Sequence, residues 1–143
     1  IFNILNNQPL PIYGKGKNSR EWIFVEDHCE GLLAIYKKGV AGESYNIGSG
    51  DIVSNNTISK KLIKLFKTKI NKNCKSKIIY VKDRPGHDLR YALNSRKIKK
   101  LGWKKKLNLD KGLFLTIKWY LKNTDWLKKI NKNKYSGRLG IKL

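Results

Sequence analysis

The segment DRPGHDLRY, residues 83–91, places two arginines, two aspartates and a histidine around a Pro-Gly turn. It lies between an apolar run at residues 78–81 and a shorter one at residues 91–93, which predicts a loop between two strands. Loops of this kind often carry binding residues. Arg84 offers a planar fork of donors for a phosphate, and His87 can donate or accept a hydrogen bond. An ordinary surface turn with a salt bridge is the alternative that these residues leave open.

Apolar periodicity on both sides of this loop predicts alternating strands and helices, and therefore an α/β fold. Strands are predicted at residues 10–13, 20–24, 44–47, 78–81 and 90–93. Helices are predicted at residues 25–38, 56–67, 95–101 and from 110 onward, after the end of a helix at residues 1–7. Ser54 or Asn55 is the expected N-cap of the second helix, and Asp110 that of the last one.

Apolar residues fall on one face of the helix predicted at residues 25–38, namely Val25, Cys29, Leu32, Leu33 and Tyr36. The position of Cys29 on that face predicts a free, buried thiol. The two cysteines, Cys29 and Cys74, make only a weak case for a disulfide. This cysteine usage indicates a reducing, cytoplasmic compartment. Trp22, Trp103 and Trp119 are interpreted as core residues.

The chain has 143 residues, enough for one domain with a hydrophobic core. Its net charge of +22 is typical of proteins that bind nucleic acid or anionic membranes. The basic residues are mostly lysines scattered along the chain, and Lys, Asn and Ile share AT-rich codons, so genome composition can account for this charge. No apolar run approaches the ~18 residues of a membrane span. We expect no specific nucleic-acid partner and no membrane association.

The segment DRPGHDLRYAL at residues 83–93 resembles a motif of the dTDP-glucose 4,6-dehydratases, members of the extended short-chain dehydrogenase/reductase group. Other segments match the same family in the same order: LPIYGKG at residues 10–16, REW at 20–22, VEDH at 25–28, GESYNIG at 42–48 and LGW at 101–103. The resemblance extends from about residue 1 to about residue 130. One such segment would be weak support, but several in order are specific.

The resemblance implies the C-terminal, substrate-binding portion of a Rossmann-type fold, which is incomplete without its N-terminal half. Residues 1–130 would form this portion, and residues 131–143 a basic, disordered tail. The complete enzyme of this family is a homodimeric hydro-lyase that converts dTDP-glucose to dTDP-4-keto-6-deoxyglucose with bound NAD. A chain that begins at Ile1 and contains no Met agrees with a fragment, and the fragment alone is expected to be inactive.

The residues that bind NAD and transfer protons are expected in the N-terminal half, because the chain lacks their motifs. It has no Gly-x-Gly-x-x-Gly after a strand, and no Tyr-x-x-x-Lys pair with a serine or threonine partner in a plausible context. It also has no Cys/His cluster with zinc-ligand spacing and no Gly-x-Ser-x-Gly elbow. We therefore expect no catalytic, cofactor-binding or metal-binding residue in this chain.

Two arginines are expected to bind the diphosphate of the nucleotide. Arginine meets a diphosphate better than lysine because its fork matches two oxygens at once. By resemblance to the family, Arg20 and Arg84 would have this role. The family commonly has Asp where this chain has Glu21. The longer Glu side chain leaves the orientation of the neighbouring Arg20 in question.

The resemblance assigns five further substrate contacts. Asn55 would bind near the phosphates, unless it only caps a helix. Pro11, Ile12 and Tyr13 would line the base and the ribose with apolar area, and a buried edge strand is their alternative interpretation. His87 would lie beside the nucleotide, or remain an ordinary surface histidine.

Three alternative functions stay open. A related UDP-sugar epimerase or decarboxylase would share the scaffold and prefer UDP over dTDP. A basic nucleic-acid-binding module rests on the charge alone and predicts binding that falls steeply with salt. A decayed remnant would bind nothing. If residues 44–47 belong to the sheet of a missing domain, strand edges and apolar faces are exposed, and we expect marginal stability or aggregation.

Overall fold

A computed structural model describes the backbone of residues 1–134 and the side chains of residues 1–129. Helices and strands are mixed along the chain, which confirms the α/β class. In chain order they are α1 (Phe2–Leu5), β1 (Leu10–Tyr13), β2 (Ser19–Glu21), α2 (Val25–Lys38), β3 (Ile52–Ser54), α3 (Asn55–Lys69), β4 (Ile78–Val81), α4 (Arg96–Lys100), α5 (Leu109–Lys122) and α6 (Thr124–Lys134).

Two small sheets organise the described residues. Strand β1 pairs with β4 in parallel, from Leu10 opposite Ile78 to Tyr13 opposite Val81. Strand β2 pairs with β3 in antiparallel register, with Ser19 opposite Ser54. The parallel pair brings the start of the chain beside the segment that precedes the DRPGHDLRY loop.

Two predicted strands are wrong. Residues 44–47 are not in a strand, and residues 90–93 form only a single bridge between Ser19 and Arg90. A strand needs a hydrogen-bonded neighbour, and within the described part of the chain no strand lies beside residues 44–47. Strand β3 was missed because its three residues are too few for a period-2 pattern.

Helix α2 has the predicted bounds, but the expected burial of its apolar face is wrong. Leu33 is 55% exposed, Tyr36 is 88% exposed, and Cys29 is a free, exposed thiol. The helix is anchored instead through Asp27, whose backbone carbonyl accepts a hydrogen bond from Trp103 Nε1 at 3.0 Å. The Asp27 carboxylate accepts from the backbone N–H groups of residues 106 and 107 at 2.8 and 3.2 Å. Polar anchors therefore fix which side of α2 faces the protein.

Helices α1, α3 and α5 enclose the main apolar core, which contains Ile4, Phe66, Cys74 and Ile117. Ser54 caps α3 by accepting from the backbone N–H of Thr57 at 3.1 Å, so Ser54 is the cap of the two candidates.

Three further expectations concern the cap of α5, the burial of the tryptophans and the C-terminal tail. Asn108, not Asp110, caps α5, because its side chain accepts from the N–H of Lys111 at 2.9 Å. Trp103 is buried and Trp22 is half-buried, but Trp119 is 47% exposed, so its assignment to the core is wrong. The predicted tail at residues 131–143 begins within helix α6, and residues 135–143 lie outside the described part.

Candidate functional site

The parallel pairing of β1 and β4 places the loop after β1 against the DRPGHDLRY loop. The N–H of Gly14 donates to the carbonyl of Val81 at 2.9 Å. Gly14 has a φ of +56°, and a Cβ added there would lie 2.5 Å from Oδ2 of Asp83. Glycine at this position therefore both permits the left-handed turn and leaves space for a carboxylate.

Asp83 organises the first half of the loop. Its Oδ1 accepts from the backbone N–H of Arg84 at 2.9 Å and lies 2.7 Å from Nδ1 of His87. The hydrogen bond with His87 holds the pKa of the Asp83 carboxyl below its usual value. The His87 side chain is only 6% exposed, and its ring stands edge-on to that of Tyr13, with centroids 6.2 Å apart. His87 is therefore a fixed element of the loop and not a free surface histidine.

Strand β2 lies against the second half of the same loop. The N–H of Ser19 donates to the carbonyl of Leu89 at 2.7 Å, and the N–H of Tyr91 donates to the carbonyl of Ser19 at 3.1 Å. Buried Asn18 donates through Nδ2 to the carbonyl of Asp88 at 3.0 Å. These bonds bring Arg20 to the loop although the sequence separates them widely.

The guanidinium of Arg20 is held on several sides. Nη1 donates to the carbonyl of Ser19 at 2.7 Å, and Nη2 donates to the carbonyl of Asp88 at 3.1 Å. The group also lies over the ring of Tyr91, 4.5 Å from its centroid. The Tyr91 hydroxyl donates to the Asp88 carboxylate, and this bond raises the pKa of the hydroxyl. A planar cation in a fixed orientation is suited to a phosphate.

Glu21 does not orient Arg20. Its Oε1 accepts from the N–H of Gly50 at 2.5 Å, and its Oε2 accepts from the N–H of Leu93 at 2.8 Å. The carboxylate thus ties the glycine turn after residue 47 to the end of the DRPGHDLRY segment. The longer arm of Glu allows one carboxylate to reach both backbone groups.

Asn55 begins helix α3 next to this arrangement. Its backbone N–H donates to the carbonyl of Asn18 at 2.9 Å, and the capping role belongs to Ser54. The neighbouring Asn56 donates to the carbonyl of Lys15 at 2.9 Å and accepts from the hydroxyl of Tyr80 at 3.2 Å. The start of α3 therefore supports the loop after β1 and leaves the Asn55 side chain half-buried beside β2.

Residues 11–13 differ in what they can offer to a ligand. Pro11 and Tyr13 are half-buried, whereas the Ile12 side chain is only 5% exposed. Burial of the Ile12 side chain favours the alternative interpretation, a buried edge strand, for that residue. Arg84 is exposed at the surface of the loop.

The structure brings together the predicted residues Tyr13, Arg20, Asn55 and His87 around the loop that carries Arg84. Sequence reasoning missed the residues that hold them: Gly14, Asn18, Asp83, Asp88 and Tyr91. Four of these lie inside the matched motifs, so their positions were visible, but their partners depend on long-range pairing.

A separate apolar cavity of about 1050 Å³ lies between the start of α2 and helix α5. Its lining includes Trp22, Phe24, Leu113 and Trp119, and none of the predicted site residues. Within residues 1–129, no three His, Cys, Asp or Glu side chains come together as a metal site. No helix of the described part is long and apolar enough to cross a membrane.

Comparison with known proteins shows the family to which the chain belongs. A family model described as GDP-mannose 4,6 dehydratase matches residues 1–116. A probable dTDP-glucose 4,6-dehydratase of Sinorhizobium fredii is 40% identical over 99% of this chain and 41% of its own length. The chain therefore spans about two fifths of the length of this curated relative.

Solved structures agree in fold. A dTDP-glucose 4,6-dehydratase of Bacillus anthracis, in complex with NAD, has a TM-score of 0.75 and 39% identity, covering 87% of this chain and 38% of that one. A UDP-glucose 4-epimerase of Thermotoga maritima, with UDP-glucose, has a TM-score of 0.72 and 30% identity, covering 85% and 38%. The match of the family model, at residues 1–116, includes Arg20, Arg84 and His87. The chain belongs to the GDP-mannose 4,6-dehydratase family, within which it is similar to the dTDP-glucose 4,6-dehydratases.

Proposed function

We propose that this chain is the nucleotide-binding part of a dTDP-glucose 4,6-dehydratase, a hydro-lyase that forms dTDP-4-keto-6-deoxyglucose. One observation carries the proposal: hydrogen bonds join Arg20 of β2 to the loop of Arg84 and His87, although β2 and that loop are far apart in sequence. The names of the relatives support the choice of substrate. The dTDP-sugar is the expected small-molecule partner.

Each site residue has a role that its chemistry supports. Arg20 and Arg84 bind the two phosphates, because a guanidinium offers paired N–H donors to phosphate oxygens. Asn55 adds an amide beside them, and His87 lies next to the nucleotide. Tyr13, with Pro11, supplies apolar surface for the base and the ribose.

NAD belongs to the complete enzyme, but the residues of this chain do not fit it. A dinucleotide pyrophosphate needs a glycine-rich turn between a strand and the start of a helix. Gly14 and Gly16 follow β1 but lead into strand β2, and α3 follows β3 directly without a glycine. NAD would therefore be held by the part of the enzyme that this chain does not include, and catalytic residues are expected there too.

Calorimetric titration of the 143-residue chain with dTDP, UDP and GDP tests the proposal. We expect dTDP to bind most tightly, and Arg84→Lys to weaken binding about tenfold through loss of the bidentate contact. Arg96→Lys, on the exposed surface of α4, is the matched control and should leave binding unchanged. The chain alone should form no keto-sugar from dTDP-glucose and NAD. Keto-sugar formation, or no binding of any nucleotide, would contradict the proposal.

A UDP-sugar epimerase is the second candidate, supported by the similarity to the Thermotoga maritima enzyme. Tighter binding of UDP than of dTDP in the same titration would favour it over the dehydratase. A nucleic-acid-binding module would instead bind single-stranded DNA with an affinity that falls steeply between 50 and about 200 mM salt and ignores the base of a mononucleotide.

The proposal also covers the oligomeric state and the cellular location of the complete enzyme. The complete enzyme is expected to be a homodimer without a specific nucleic-acid partner, and light scattering of that enzyme would give its mass. A cytoplasmic location is supported by Cys29 and Cys74, which are both free thiols.

A further inference from the structure

Asp83 and His87 form a pair whose geometry fixes the position of a proton. Nδ1 of His87 lies 2.7 Å from Oδ1 of Asp83, which is hydrogen-bond distance. An ionised carboxylate has no proton to donate, so the proton between the two atoms belongs to Nδ1. The hydrogen bond from His87 lowers the pKa of the Asp83 carboxyl, which keeps that group ionised at neutral pH. Nδ1 is thus engaged, and within the described part of the chain the other ring nitrogen, Nε2, has no hydrogen bond.

Asp83 is itself held in place from two directions. Its Oδ1 also accepts from the backbone N–H of Arg84 at 2.9 Å. A Cβ added at Gly14 would lie 2.5 Å from Oδ2 of Asp83, so the turn after β1 packs closely against the carboxylate. The parallel pairing of Tyr13 with Val81 sets this contact, because Gly14 directly follows β1 and Asp83 lies two residues beyond the end of β4.

We propose that Asp83 is a positioning residue that holds the neutral imidazole of His87 in its Nδ1–H tautomer and leaves Nε2 as a hydrogen-bond acceptor for the ligand. This proposal rests on the proposed function, because the ligand is the nucleotide sugar. An acceptor at Nε2 binds the hydroxyl group of the nucleotide's deoxyribose, since a phosphate oxygen at neutral pH has few protons to donate. His87 thus recognises a hydroxyl, while the arginines hold the phosphates.

Nitrogen NMR of the ¹⁵N-labelled chain reads the tautomer directly. The chain has two histidines, His28 and His87, so their ring nitrogens can be assigned without crowding. Spectra are recorded without nucleotide over a series of rising pH, and the tautomer is read on the plateau where the ring-nitrogen signals no longer change. We expect a protonated Nδ1 and an unprotonated Nε2 for His87. A protonated Nε2, alone or together with Nδ1, overturns the proposal.

Two substitutions at Asp83 separate positioning from a general loss of structure. Asp83→Ala removes the acceptor, and we expect His87 to lose its preference for the Nδ1–H form. Asp83→Asn keeps an oxygen that accepts from Nδ1–H, and we expect the wild-type tautomer. Unchanged His28 signals verify the fold of both variants. If His87 is the same in wild type and Asp83→Ala, Asp83 does not position it.

The contribution of Gly14 has its own matched control. Gly14→Ala places a methyl group against Oδ2 and should disturb the His87 signals. Gly42 also has a positive φ, +81°, but a Cβ there meets nothing within 4 Å. Gly42→Ala therefore introduces backbone strain without the collision and should leave His87 unchanged. Equal effects of both variants would contradict the role of Gly14.

Titration with dTDP separates failure of this proposal from failure of the proposed function. We expect Asp83→Ala to weaken dTDP binding about fivefold, the effect of one lost hydrogen bond, and Asp83→Asn to restore it. A chain that has the Nδ1–H tautomer but binds no dTDP contradicts the proposed function and leaves the positioning role intact. A chain that binds dTDP equally with and without Asp83 contradicts the role of His87 as an oriented ligand contact.

Discussion

The guanidinium of Arg20 lies 4.5 Å from the centroid of the Tyr91 ring and donates to the carbonyl of Asp88. These contacts join strand β2 to the loop after β4, across 68 residues of sequence. The Tyr91 hydroxyl donates in turn to the Asp88 carboxylate, so the ring is fixed beneath the cation. The loop therefore sets the orientation of Arg20, which resolves the question raised by Glu at position 21.

Removal of the ring under Arg20 is expected to weaken nucleotide binding. Tyr91→Leu keeps an apolar side chain but removes the cation–π contact, which contributes about 0.5–1 kcal/mol at exposed sites. We expect dTDP to bind about two- to fivefold more weakly by calorimetry. Tyr36→Leu, at a position 88% exposed on α2, is the control and should have no effect. Similar losses in both variants would show that the stacking geometry is unimportant.

Adjacent substitutions at the start of α3 should separate stability from binding. Ser54→Ala removes the cap on the N–H of Thr57 and should lower the free energy of unfolding by about 1 kcal/mol, measured by urea denaturation. Asn55→Ala keeps that cap and should leave stability nearly unchanged while weakening dTDP binding. If Asn55→Ala instead destabilises the chain without affecting dTDP, Asn55 is a structural residue only.

Glu21 is expected to be a structural anchor. Glu21→Ala leaves the N–H groups of Gly50 and Leu93 without their side-chain acceptor, which should cost about 1–3 kcal/mol in urea denaturation. Glu21→Asp shortens the arm and should recover only part of this loss. Lys60→Gln, at an exposed position in the interior of α3, serves as the control. If Glu21→Asp were as stable as the wild type, the length of the Glu side chain would not be needed to contact both N–H groups.

Acid should weaken the loop through Asp83. The pKa of this carboxyl is lowered in the folded chain, chiefly by the hydrogen bond with His87, so the folded state favours the ionised form. Its contribution to stability is complete above the usual value of 3.8 and is lost as the pH falls through the lower, folded value. The stability difference between wild type and Asp83→Asn should therefore shrink as the pH falls below about 4. A difference that is constant from pH 6 to about pH 2 would exclude this linkage.

The uncovered face of α2 is expected to cause self-association of the isolated chain. Leu33 and Tyr36 are 55% and 88% exposed on a helix whose other side is anchored through Asp27. Replacing both with Lys should reduce the aggregated fraction in sedimentation experiments, because exposed apolar patches promote association. The double variant Lys37→Gln and Lys38→Gln, on the same helix, should not reduce it. A monodisperse wild-type chain at about 100 µM would contradict the expectation, since aggregation-prone species associate at micromolar to millimolar concentrations.

The site could be predicted from sequence only in part. Arg20, Arg84 and His87 were predicted as candidate site residues because arginines are rare among the lysines and because these residues lie in family motifs. Asp83 and Tyr91 stood in the same quoted segment, yet nothing local assigned Asp83 to His87 or Tyr91 to Arg20. The burial of Ile12 likewise depends on what packs over β1.

The sequence by itself determined the class of the fold, the bounds of α2 and of strands β1 and β4, and the motif residues of the site. Local periodicity and turn residues are sufficient for these features because they depend on neighbours within a few positions. Only the tertiary structure decided which face of α2 is buried, which residue caps α3, and how Arg20 meets the loop after β4. Those outcomes depend on hydrogen bonds between distant segments, such as Trp103 to Asp27 and Arg20 to Asp88. The local apolar pattern does not contain these bonds, and for α2 it predicts a different buried face.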